Sequence, residues 1–88
     1  MRDQEVETIK KELMDTLLDI GIDPVPYSIA IRITAETIRE REKVYHDFLN
    51  DRASRVCLQS WNDQVRACLS MLRLTPGKVT QTFFDGIP

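Results

Sequence analysis

The chain has 88 residues, 42% of them hydrophobic and 30% charged, with 14 acids, 12 bases and a formal net charge of −2. A chain of this length is one small domain that buries roughly 60–65% of its unfolded surface, so it needs very good helix packing, a staple or a partner. The near-neutral balance excludes a strong global pull toward nucleic acid or anionic lipid, and no stretch approaches the roughly 20 apolar residues of a membrane span.

The charge is mildly uneven. Residues 1–50 hold eleven acids and seven bases, a net of −4, and residues 51–88 hold three acids and five bases, a net of +2. The opening Met1-Arg2-Asp3-Gln4-Glu5 is acidic and lacks an apolar stretch, so it reads as no secretory signal, and a soluble cytoplasmic protein is expected. Cys57 and Cys68 form no Cys-x-x-Cys and have one histidine, His46, for company. That is too few ligands for a zinc site, so no metal and no cofactor are expected. Two isolated cysteines read as buried thiols in a reducing compartment, with a disulfide as the alternative.

The first helix is predicted from about Asp3 to Ile20. Val6, Ile9, Leu13, Leu17 and Ile20 recur at three- and four-residue steps, and Met14 and Leu18 widen the stripe. Asp3, Glu5 and Glu7 suit the positive end of the helix dipole, and Gly21 suits the position just past the last turn. In Ile22-Asp23-Pro24-Val25-Pro26 the chain turns and restarts, with Asp23 as cap and the prolines in a first turn whose amide hydrogens lack intrahelical partners.

The second helix is the longest predicted element, from about Pro24 to Asn50. Tyr27, Ile31, Ile38, Tyr45 and Phe48 form a seam once Thr34 and Arg41 are counted in it, while Ile29, Ile33 and Val44 lie off it. A helix apolar on more than one face is normally buried on several sides. Self-association through Tyr27, Ile29, Ile31, Ile33, Ile38, Tyr45 and Phe48 is therefore expected. The run Arg39-Glu40-Arg41-Glu42-Lys43 reads as a solvated, ion-paired face.

Residues 51–59 lose the pattern and read as a connector. Ser60 with Asp63 three residues on approximates a capping box, so a third helix is predicted from about Trp61 to Leu74, with Trp61, Val65, Cys68 and Leu72 inward and Leu69 beside them. Thr75-Pro76 stops it and starts a short fourth helix over about 76–84, docked by Phe83 and Phe84. The expectation is one all-α domain of three main helices, the long one central, plus a short C-terminal helix.

No catalytic constellation emerges. His46 has no nucleophile at a suggestive spacing, Glu40 and Glu42 lie two apart on a helix and face different ways, and the glycines Gly21, Gly77 and Gly86 form no phosphate loop. The chain is read as a non-enzyme. The basic residues of the second half, above all Arg52, Arg55, Arg73 and Lys78, are the candidate contacts to double-stranded DNA, since cations supply most non-specific affinity for phosphates.

Three features in this order resemble the short helical type of phage terminase small subunit, over roughly residues 9–80. They are the leading helix 12–22 (Glu-Leu-Met-Asp-Thr-Leu-Leu-Asp-Ile-Gly-Ile), the long helix from Tyr27 through Phe48, and the closing segment 61–76 with its Leu74-Thr75-Pro76 stop. The chain departs from the family's pattern at Arg73, where a Gly usually precedes the Leu-Thr-Pro, and at Val79, where an Arg usually follows the Pro; the connector 51–59 is also short. The resemblance implies a non-catalytic DNA-packaging subunit that assembles into rings, marks the viral genome and regulates the terminase large subunit in the host cytoplasm. The competing expectation is a helical protein–protein adaptor with no nucleic-acid role.

Overall fold

A computed structural model describes residues 4–74, and these residues form an all-helical bundle. Helix α1 spans Gln4–Asp19, α2 spans Ser28–Leu49 and α3 spans Arg55–Met71, with a single 3-10 turn at Val25–Tyr27 leading into α2. The predicted fourth helix over 76–84 lies outside the described residues. No described helix is long and apolar enough to cross a membrane.

The helices run up, down and up, and both α1 and α3 pack on α2. Arg39 of α2 reaches Glu5 near the start of α1 at 3.0 Å, and Arg41 meets Asn62 of α3 at 2.8 Å, while Thr34 lies against Cys68. The core gathers Ile9, Leu13 and Leu17 from α1, Ile31, Ala35 and Ile38 from α2, and Val65 and Leu69 from α3, with Leu72 and Leu74 just beyond. Of the stripe expected on α1, Met14, Leu18 and Ile20 are exposed. The buried row on α1, Ile9, Leu13 and Leu17, steps four residues at a time and is narrow.

Each helix ends in the same way. At α1, the Gly21 amide donates to the Leu18 carbonyl and the Ile22 amide to Leu17. At α2, Asp51 donates to Phe48 and Arg52 to Asp47; at α3, Arg73 donates to Ser70 and Leu74 to Leu69. These paired bonds are the Schellman motif, which needs a left-handed residue just past the helix. Gly21, Asp51 and Arg73 take that conformation, with φ of 83°, 58° and 59°.

The start of α3 corrects the prediction. The helix begins at Arg55, not Trp61, and its cap is Ser54, whose hydroxyl accepts the Cys57 amide at 3.1 Å. The inner face is Leu58, Asn62, Val65 and Leu69, so Trp61 and Cys68 sit at its edge, only half-buried. The polar Asn62 interrupts the apolar period and hid the first two turns. The start of α2 is also corrected: residues 24–27 close a 3-10 turn before the α-helix begins at Ser28, and Asp23 does not cap it, since the N-cap is Tyr27, without a side-chain cap bond, and Asp23 instead accepts the Val25 amide at 3.1 Å in the preceding turn.

Candidate interaction surfaces

The outer face of α2 begins apolar and turns charged. Val25, Ile29 and Ile33 stand four residues apart and are 75%, 65% and 42% exposed; Glu36, Glu40 and Lys43 continue the row. Thr37 accepts a hydrogen bond from the Cys68 thiol at 3.7 Å, and about one turn beyond each partner lie Ile33 and Met71, both exposed. Because α1 ends, α2 begins and α3 ends at one end of the bundle, Met14, Leu18, Ile20, Val25, Ile29, Ile33 and Met71 all gather toward that end. Leu49 and Val56 are exposed at the other.

The expected self-association residues therefore divide. Ile31 and Ile38 are inside the chain's own core and cannot face a partner without unfolding, which corrects that part of the expectation. Tyr27, Tyr45 and Phe48 are half-buried, and Ile29 and Ile33 face outward. Periodicity alone could not separate these groups, because it locates faces and not the neighbours that cover them.

A groove follows the α1–α2 seam. Its apolar half, about 300 Å³, is lined by Met14, Pro24, Val25 and Ile31 with Ser28 and Lys10 at its edge. Its charged half, about 450 Å³, holds Glu7, Lys10, Arg32, Glu36, Arg39 and Glu40. Those charges satisfy one another: Lys10 pairs with Glu7 at 3.6 Å, Arg32 with Glu36 at 3.9 Å, and Arg39 with Glu5 and Glu42. The Lys43–Glu40 pair at 3.3 Å completes the ion-paired face expected of this run. Arg41 is the exception and a correction, being buried rather than solvated. Its Nε donates to Asn62 Oδ1, and its guanidinium lies 4.9 Å from the Tyr45 ring centroid.

The candidate DNA contacts do not converge. Arg52 and Arg55 are exposed at the α2–α3 turn, and Arg73 is exposed beyond the far end of α3. The 17-residue length of that helix separates them, about 25 Å at 1.5 Å per residue. None of the three enters an ion pair among the described residues. Lys78 lies outside the described residues.

The cysteines are free, and geometry forbids their pairing within one copy. Both are on α3, eleven residues apart, so about 16 Å separates them along the axis, against the roughly 6 Å that a disulfide spans. His46 is exposed near the end of α2, and among the described residues no group of three or more His, Cys, Asp or Glu side chains could hold a metal ion. Comparison with protein-family models, with curated proteins and with solved structures finds no match to this chain.

Proposed function

We propose that this chain is a non-catalytic assembly subunit of the phage DNA-packaging type, self-associating through the outer face of α2 and presenting cations to DNA from many copies at once. The observation that carries the reading is the exposed row Val25, Ile29 and Ile33, with Met71 beside it, which the described helices leave uncovered. The order of helices that resembles the terminase small subunits, with a long middle helix packed between two others, agrees with it. Repetition supplies what one copy lacks. Arg52, Arg55 and Arg73 are scattered on a single subunit, and linking weak sites in an assembly gains about 10²–10⁴ in avidity when the geometry lets them bind together. Partners on this reading are further copies of the chain closed into a ring, double-stranded DNA and the terminase large subunit, in the host cytoplasm.

The test has two arms. Native mass measurement of the parent is expected to give an assembly that Ile29→Asp with Ile33→Asp reduces to a folded monomer. Gel shifts of duplex DNA are expected to weaken steeply with salt and to vanish when Arg52, Arg55, Arg73 and Lys78 are all changed to Ala.

A second reading, a helical adaptor for another protein, is favoured by one observation: the separation of Arg55 from Arg73 by the whole of α3. It requires a monomer or two-fold dimer and equal, negligible DNA binding by parent and quadruple variant at low salt.

A further inference from the structure

The apolar half of the α1–α2 groove lies at the end of the bundle where the described chain stops. It is about 300 Å³, with exposed Met14 and Val25 beside buried Ile31. Because α3 runs antiparallel to α2, its C-terminal end comes level with the start of α2, and Leu72 and Leu74 join Ile31 in the core. Residues 75–88 follow Leu74 in the sequence. They include Val79, Phe83, Phe84 and Ile87, and so two of the chain's three phenylalanines. We propose that this segment of the same chain occupies the apolar half of the groove, with Phe83 and Phe84 seated against Met14 and Val25.

Reach, size and chemistry agree on that occupant. Phe83 is nine residues beyond Leu74, which is at most about 30 Å of chain. The path from α3 across α2 to the α1–α2 seam is about two interhelical spacings, roughly 16–20 Å. The groove is at the lower end of the roughly 300–1,000 Å³ that admits a small molecule, so it has room for aromatic side chains and none for a helix about 10 Å across. A short tether holds the rings near the groove at an effective concentration of about millimolar, which favours the chain's own segment over one from a second copy. The residues before the rings, Thr80, Gln81 and Thr82, bring no charge, and Asp85 follows the rings while Lys10 stands at the groove's edge. Ile29 and Ile33 lie outside the groove, so this assignment does not depend on self-association through them.

The chain has three methionines, Met1, Met14 and Met71, so isotope labelling of their methyls gives a nuclear magnetic resonance spectrum of three signals. In the parent the Met14 methyl is expected upfield of its free position, displaced by the ring currents of Phe83 and Phe84. Phe83→Ala with Phe84→Ala is expected to return it to the free position, with helical dichroism retained and the exposed Met71 methyl unmoved. Should that variant unfold, Val25→Lys, at a position 75% exposed, is expected to give the same release. A Met14 methyl that neither variant moves overturns the proposal, as does a Met71 methyl that moves as far or loss of the helical spectrum in both variants. Labelled double variant mixed with excess unlabelled parent is expected to show no recovery of the upfield signal. Recovery would mean that a second copy supplies the segment, and would overturn its assignment to the same chain.

Discussion

At the residue scale, the left-handed position after each helix is the clearest point where local chemistry and fold disagree. Only Gly takes φ near +60° without steric cost, and other residues lose roughly 1–2 kcal/mol there. Gly21 fits, and a Cβ at that position would meet nothing within 4 Å, so Gly21→Ala should cost about 1 kcal/mol through the backbone alone. Arg73→Gly should therefore stabilise the domain by about 1 kcal/mol, and Asp51→Gly by somewhat less, since Asp tolerates this region better. Urea midpoints at constant slope check both; a lower midpoint for Arg73→Gly would show that its side chain contributes more than the strain removes. Arg73 carries a side chain in a backbone region that glycine occupies most easily, and nothing in its spacing along the chain announces that conformation.

At the element scale, the boundaries of α3 separate what periodicity can and cannot reach. Ser54 and Ser60 are equally good caps by residue type, and the Asp at 63 pointed to the second. The chain uses the first because starting at Arg55 adds Leu58 to the buried face and aligns Asn62 with Arg41. Ser54→Ala should cost about 1 kcal/mol of stability in thermal or urea unfolding, and Ser60→Ala, exposed in mid-helix, should cost nothing or slightly stabilise. Equal losses at the two positions would contradict this start. On α2 the same logic separates surface from core. Ile38→Asp should abolish the dichroism melt by burying an unpaired carboxylate, whereas Ile29→Asp should leave the helical spectrum intact and change only the apparent mass. If Ile29→Asp also unfolds the chain, its side chain is part of the fold and not a contact face.

At the scale of the whole molecule, the distribution of charge decides how DNA could be engaged. Arg52 and Arg55 stand at one end of α3 and Arg73 at the other, so these three described cations form no compact patch within one copy. Any DNA affinity should therefore rise with assembly and collapse in the Ile29→Asp, Ile33→Asp variant even though every cation is retained. Binding that survives dissociation to monomers, measured by gel shift and native mass on the same samples, would place the DNA contact in one subunit and remove the argument from avidity.

The sequence by itself determined the helical class, the two outer limits of α2 to within a few residues, and the buried row Ile9, Leu13 and Leu17. It also identified the use of Gly21 just past the end of α1. Each of these depends on residues near one another in the chain, where spacing, caps and backbone preference act directly. The tertiary structure alone decided which apolar residues of α2 face inward, that Arg41 is buried on Asn62, that Ser54 starts α3, and that the three described candidate cations stand apart. Those outcomes depend on which helix covers which face and at what height, and a periodic pattern carries no information about the neighbour it meets.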